Sequence, residues 1–170
     1  MEISKKDMKI LLKSQQGELD AVLMYNALAE VAKHQKDKDT FRQLAKEEGH
    51  HASVFHKLTQ RELTPKHTKE LLLPLLYRIF PRWILYPAIA QGEYVAVKTY
   101  APVAEKFPEV ESVKNDEKRH GDTVKGLLNK EQDGQFPEDI FKFMNLSIIF
   151  TSSPARKAVC NFCDLGDVDF

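Results

Sequence analysis

The chain contains few of the residues that mark turns or disulfide frameworks. Of its 170 residues only seven are glycine and two are cysteine, and both cysteines, Cys160 and Cys163, lie near the C-terminal end. Two neighbouring cysteines cannot staple a whole fold, which suits a reducing compartment. The first residues mix charged and apolar side chains and lack the uninterrupted apolar stretch of a secretory signal. We therefore expect a cytoplasmic protein.

The sequence also lacks an excess of charge of either sign. Its 25 basic residues balance 25 acidic ones, and no basic stripe is present. Proteins that bind the phosphate backbone of nucleic acids need such a stripe. We therefore expect small molecules or other proteins as partners, and no nucleic acid.

No apolar run is long enough to be an obvious membrane span. The most apolar stretch, residues 71–90, is interrupted by Arg78 and Arg82 and by three prolines. A spanning helix needs about 18 or more uncharged apolar residues. We expect a buried connector followed by the start of a helix. A patch that touches a membrane surface or forms a dimer contact is the alternative.

Helical spacing of apolar residues dominates the chain, and strand alternation is nearly absent. The spacing predicts four long helices, a short helix between the second and third, and a short C-terminal helix. We expect the second helix to be capped by Asp39 or Thr40. Pro87 is expected to delay the start of the third long helix, and Pro102 to kink its last turns. The predicted spans are about 5–33, 40–60, 66–76, 82–106, 109–130 and 137–150.

Four long helices with a long connection in the middle are typical of a bundle with a crossover. We therefore predict an all-α four-helix bundle over residues 1–150, followed by a tail at 151–170. QGELDAVLMYNALAE begins at Gln16, and QGEYVAVKTYAPVAE begins at Gln91, 75 residues later. This repeat indicates that the two pairs of long helices are two copies of one helical hairpin.

Each hairpin carries a Glu followed three residues later by a His, which places a carboxylate and an imidazole on one helical face. In LAKEEGHHASVF both Glu47/His50 and Glu48/His51 fit this spacing. The apolar periodicity favours the second pair, because it lies in the stripe that must face the core. We expect Glu47 and His50 to flank the stripe and to matter much less. The stripe consists of Phe41, Leu44, Glu48, His51, Phe55 and Leu58.

The same stripe recurs in VKNDEKRHGDTV, where Glu117 and His120 stand between valines. The first and third long helices each add a core-facing carboxylate, Glu18 and Glu93. Four carboxylates and two imidazoles buried as bare charges would strongly destabilise a bundle. Two divalent cations neutralise four ionised carboxylates, and neutral imidazoles complete the coordination. An oxygen-rich site with one imidazole for each metal suits iron or manganese better than zinc or copper.

The order Glu, Glu-x-x-His, Glu, Glu-x-x-His over four helices resembles the ferritin-like di-iron carboxylate superfamily. Within it, GELDAVLMYNALAEVA, EEGHHA and GEYVAVKTY resemble the rubrerythrin family, over about residues 15–128. The resemblance implies a ferritin-like bundle with two iron ions, or manganese at one or both positions. It also implies that Tyr25 and Tyr100 hydrogen-bond ligand carboxylates, for which ordinary core aromatics are the alternative. The implied metal ligands are Glu18, Glu48, His51, Glu93, Glu117 and His120.

The pseudo-symmetry of the hairpins assigns these ligands to two metals. One metal is expected to take Glu18 and His51, and the other takes Glu93 and His120. Glu48 and Glu117 are then the bridges between the two metals.

Two departures from the family pattern limit what is carried over. The third long helix has Ala96 where rubrerythrins carry a further carboxylate, and Ala21 mirrors it on the first helix. A rubredoxin-like domain needs two Cys-x-x-Cys pairs, and the chain has only the pair formed by Cys160 and Cys163. The electron donor is therefore expected to be a separate protein, either rubredoxin-like or a flavoprotein.

The resemblance implies an oxidoreductase that reduces hydrogen peroxide or dioxygen in defence against oxidative stress, and a homodimer. Three alternatives compete with it: a ferroxidase or iron-handling protein, a membrane-associated di-iron hydroxylase, and a metal-free interaction bundle. The choice of peroxide rests on the resemblance alone, because one fold hosts many reactions.

Overall fold

The computed structural model describes residues 3–128, which fold into five α-helices without a β-strand. The helices are α1 Lys5–Val31, α2 Gln35–Thr59, α3 Thr68–Ile79, α4 Arg82–Ala104 and α5 Pro108–Gly126. α1 packs along α2 and α4 packs along α5, while α3 connects the two hairpins and packs on α1. The predicted all-α bundle with a crossover is confirmed. The helix predicted at 137–150 and the tail at 151–170 lie outside the described residues.

The second helix begins earlier than predicted. α2 starts after His34, so the expected cap at Asp39 or Thr40 is wrong. Asp37 lies buried in the first turn of α2, where the helix dipole favours a carboxylate. It accepts hydrogen bonds from the Tyr86 hydroxyl at 2.5 Å and from Arg82 Nη2 at 3.3 Å. These partners on α4 explain why a polar run of sequence is helical and packed.

Pro87 does not act as predicted. α4 begins at Arg82, directly after Pro81, so Pro87 does not delay its start. α4 ends at Ala104, shortly after Pro102. α5 begins with Pro108, whose fixed φ and missing N–H suit a first helical position, and it ends at Gly126 rather than near residue 130.

Two apolar clusters fill the bundle. The first is centred on Tyr25 and Phe41, and the second on Leu11, Phe55 and Tyr100. Along each long helix, residues of one cluster are separated from residues of the other by a polar segment. The bundle therefore contains a central polar layer with an apolar cluster on either side.

The segment at 71–90 is less buried than predicted. Leu73 and Tyr77 are buried, and the Tyr77 hydroxyl accepts a hydrogen bond from the backbone N–H of Lys33. On the outward side of α3, Leu71 and Ile79 expose 72% and 62% of their surfaces. The expectation of a buried connector therefore holds for one face of α3 only. Within residues 3–128, no helix combines the length and hydropathy needed to cross a bilayer.

Replacing Tyr86 by Phe tests the contacts that hold the start of α2. The change removes one of the hydrogen bonds to the buried Asp37 carboxylate, so we expect the free energy of unfolding to fall by about 1–3 kcal/mol. Urea unfolding should show a lower midpoint at an unchanged m value. The matched control is Tyr94→Phe, which removes a hydroxyl that donates to the exposed carboxylate of Asp122. Here the free energy of unfolding should fall by less than about 0.5 kcal/mol. Equal losses in the two variants would contradict the role given to Asp37.

Candidate metal centre

Six ionisable side chains meet in the polar layer. Each long helix contributes one glutamate, and α2 and α5 each add a histidine. All six are buried, and Glu93 is the most accessible at 7%. The structure therefore places every predicted ligand in the core: Glu18, Glu48, His51, Glu93, Glu117 and His120.

Burial distinguishes the two Glu-x-x-His pairs of α2. Glu48 and His51 each expose 1% of their surface, whereas Glu47 is half-buried and His50 is exposed. The core-facing register predicted from the apolar spacing is confirmed.

The Glu-x-x-His pairs of α2 and α5 face each other. Glu48, His51, Glu117 and His120 each offer one ligand atom, and these four atoms lie within 4.8 Å of one another. Nδ1 of His120 is 2.9 Å from Oε1 of Glu48, and Nδ1 of His51 is 3.0 Å from Oε1 of Glu117. The two imidazole rings stack with their centroids 5.2 Å apart. Each histidine therefore lies against the glutamate of the opposite helix.

The glutamates of α1 and α4 extend this cluster. Oε2 of Glu18 lies 3.7 Å from Nδ1 of His51. Glu93 interacts with the carboxyl group of Glu117. Both hairpins thus contribute two carboxylates and one imidazole to the layer.

Tyr25 and Tyr100 hold the glutamates of α1 and α4 through hydrogen bonds that cross between the hairpins. The Tyr25 hydroxyl donates to Oε1 of Glu93, and the Tyr100 hydroxyl donates to Oε1 of Glu18. The partners of Glu18 and Tyr25 on α4 are Tyr100 and Glu93, in that order, so the two helices run antiparallel. Burial, and then the charge of the nearby carboxylates, raises the pKa of both phenols well above its usual value. Both hydroxyls therefore keep their protons and donate hydrogen bonds to the carboxylates.

Sequence reasoning missed a second set of contacts on the outer side of the histidines. Nε2 of His120 is 2.7 Å from Oε2 of Glu47, and Nε2 of His51 is 3.3 Å from Oδ2 of Asp116. Glu47 flanks the core stripe, as expected, and it also belongs to the hydrogen-bond network of the site. The available signal was an acidic residue directly before the Glu of each Glu-x-x-His pair.

The pKa values show how strongly these groups interact. Burial raises the pKa of Glu48 and of Glu117 well above the usual value, and the charge of Glu18 raises both further. Burial opposes a charge on His51, but the carboxylates of Glu117, Glu18 and Glu48 outweigh it and raise the pKa of this imidazole. Burial also works against ionisation of Glu18, yet hydrogen bonds with Glu48 and His51 lower its pKa overall. Burial lowers the pKa of His120. In the metal-free chain, shared protons therefore compensate the negative charge of the layer.

Two buried atoms of this layer, Nδ1 of His51 and Oε1 of Glu117, make no well-aligned hydrogen bond. They face each other at 3.0 Å. Leaving a buried polar atom unsatisfied costs about 1–3 kcal/mol, and a cation between these atoms would satisfy both. Four carboxylates and two imidazole nitrogens are a donor set that iron and manganese favour. The residues present therefore fit a site for divalent cations.

Comparison with known proteins agrees with this geometry. Neither the curated proteins nor the solved structures yielded a significant match. The family model described as Rubrerythrin matches residues 9–128, which include all six residues of the polar layer. With well over half of the chain matched, and with its glutamates and histidines gathered in one buried layer, the chain belongs to the rubrerythrin family.

Proposed function

We propose that the chain is a di-iron oxidoreductase that reduces hydrogen peroxide, or dioxygen, with electrons from a separate donor protein. The observation that carries the proposal is the buried set of four ligand atoms within 4.8 Å on α2 and α5. Membership of the rubrerythrin family supports it. In this proposal two iron ions, or manganese at one or both positions, are held by Glu18, Glu48, His51, Glu93, Glu117 and His120.

Charge balance supports two cations in the layer. Four ionised glutamates are strongly unfavourable in an apolar core unless positive charge compensates them. Two divalent cations match that charge and leave both histidines neutral, as metal binding requires. The pKa values of Glu48, Glu117 and His51 are raised for the same reason: without metal, bound protons compensate the negative charge of the layer.

The distances support the bridging role proposed for Glu48 and Glu117. Nδ1 of His51 is nearer to Glu117, at 3.0 Å, than to Glu18, at 3.7 Å. Nδ1 of His120 is 2.9 Å from Glu48. Both bridging candidates therefore contact the histidine of the other hairpin, as groups shared by two half-sites should.

Two iron ions held by these residues would supply two electrons, which together with two protons reduce one hydrogen peroxide to two water molecules. The chain provides the surroundings for that chemistry. The hydroxyls of Tyr25 and Tyr100 fix the carboxylates of Glu93 and Glu18. Apolar clusters on both sides of the layer limit the access of water.

Removing a proposed ligand should remove metal and activity together. After anaerobic loading with Fe(II), the wild-type chain should retain two irons, measured by elemental analysis. Glu48→Ala or His120→Ala should lose metal and slow peroxide reduction by more than about 100-fold, beyond the loss typical of an outer partner of a ligand. His50→Ala is the control, because His50 is exposed and lies outside the layer.

Stopped-flow mixing of the loaded protein with hydrogen peroxide or with dioxygen separates the candidate reactions. Faster oxidation by peroxide supports the proposed activity. Repeated turnover of Fe(II), with more than two irons retained per chain, would instead indicate a ferroxidase. A wild-type chain that binds no stoichiometric metal would contradict the proposal.

The metal-free protein should lose stability as the pH rises above about 6.5. The raised pKa values of His51, Glu48 and Glu117 mean that the folded chain holds protons there that the unfolded chain has released. Each such group lowers the free energy of unfolding by up to about 1.4 kcal/mol per pH unit. The lowered pKa of Glu18 has no effect in this range, because this carboxyl group is already deprotonated in both states. The lowered pKa of His120 opposes the trend only near pH 6.5, where the unfolded imidazole still holds part of its proton, and the three groups with raised pKa values outweigh it.

Bound metal should reverse this trend, because cations replace the same protons and bind more tightly as the pH rises. Thermal unfolding between pH 6.5 and 8.5, with and without Mn(II), measures both slopes. His50→Ala should show the wild-type slopes. A metal-free protein that gains stability over this range would contradict the assignment of shared protons.

A further inference from the structure

One arginine joins the outer contacts of both histidines. Arg119 lies on α5, and its Nη2 donates to Oε2 of Glu47 at 2.9 Å and to Oδ1 of Asp116 at 2.8 Å. Glu47 is on α2, so the guanidinium also joins the two hairpins. We call Glu47, Asp116 and Arg119 the outer clamp.

Each carboxylate of the outer clamp also contacts one histidine. Asp116 bonds Arg119 through Oδ1 and faces Nε2 of His51 through Oδ2, at 3.3 Å. Glu47 uses Oε2 for both Arg119 and Nε2 of His120, the latter at 2.7 Å. The two imidazoles are therefore connected through a single guanidinium.

The outer contacts determine how each imidazole presents its other nitrogen. When Nε2–H of a neutral imidazole donates a hydrogen bond to a carboxylate, Nδ1 carries no proton and can bind a metal. In both histidines Nδ1 is the atom that faces the glutamates of the layer. If the carboxylate rotated away, the imidazole would lose both its fixed orientation and its fixed tautomer.

We propose that Arg119 is a positioning residue that holds both histidines, through Glu47 and Asp116, in the orientation that retains metal. The inference rests on the proposed di-iron function. Arg119 has no equivalent in the first hairpin, where the corresponding residue is His50. Loss of Arg119 therefore weakens both half-sites, whereas loss of Glu47 weakens the His120 half and loss of Asp116 weakens the His51 half.

If the role of Arg119 were purely structural, Arg119→Gln would destabilise the metal-free fold. We expect it not to do so. Half-exposed ion pairs contribute about 0–1 kcal/mol to stability, so Arg119→Gln should leave the metal-free fold nearly unchanged. Arg42→Gln is the matched control: Arg42 is 52% exposed, close to the 51% of Arg119, and it pairs with Glu30 at 3.3 Å away from the clamp. Urea unfolding of the metal-free variants should give similar midpoints for both.

Iron release tests the clamp directly. Full-length protein is loaded anaerobically with two equivalents of Fe(II) and mixed with excess chelator, and release is followed by absorbance. We expect Arg119→Gln to release both irons about 10- to 100-fold faster than the wild type, the range typical of lost outer partners. Glu47→Ala and Asp116→Ala should each accelerate about half of the amplitude. The double variant should match Arg119→Gln.

Arg119→Lys provides a second measurement in case the glutamine variant folds poorly. A lysine keeps the charge but lacks the planar fork of donors, so we expect release intermediate between the wild type and Arg119→Gln. Release within about twofold of the wild type in both Arg119 variants would overturn the clamp and leave the di-iron function standing. Equal acceleration in Arg42→Gln would overturn it as well. A wild-type chain that retains no iron would overturn the function, and the clamp with it.

Discussion

The burial of four glutamates and two histidines in one layer is the constraint on which the rest of the structure depends. A carboxylate inside an apolar core is stable only when a cation or a proton compensates it. Here the layer lies between two apolar clusters that supply the hydrophobic stabilisation of the bundle. Because the folded chain gathers these groups and the unfolded chain does not, whatever binds the layer also stabilises the fold. Stability and ligand binding are therefore two measures of one property.

The pairing between hairpins explains why a duplicated helical hairpin suits such a layer. The tyrosine of α1 bonds the glutamate of α4, and the tyrosine of α4 bonds the glutamate of α1. On α2 and α5, the closest carboxylate to each histidine belongs to the opposite helix. The hydrogen bonds of both tyrosines and the contact of His120 with Glu48 run between hairpins rather than within one. A single hairpin would leave these groups unpaired, so the two copies stabilise each other only when they pack antiparallel.

Local sequence patterns were sufficient to predict which face of each helix is buried. They were insufficient to predict which residues of other helices contact that face. The 3-4 spacing placed Glu48 in the core because helical periodicity is contained in a short window of sequence. The start of α2 was missed because Asp37 is held by Tyr86, which is 49 residues away. The tyrosines were expected to bond carboxylates, but which carboxylate depends on how α1 and α4 cross. Glu47 was correctly placed beside the core stripe, yet its contact with His120 exists only because α5 lies against α2.

The two halves of the layer are not equivalent, and the inequality is chemical. Arg119 and His50 occupy equivalent places in the two hairpins, so the outer face receives its guanidinium from one copy only. The inner face differs as well, because Nδ1 of His51 and Oε1 of Glu117 make no well-aligned hydrogen bond, while Nδ1 of His120 makes one with Glu48. The pKa of His51 is raised by the surrounding carboxylates, and that of His120 is lowered by burial. Duplication therefore produced two similar positions whose affinities for a proton differ.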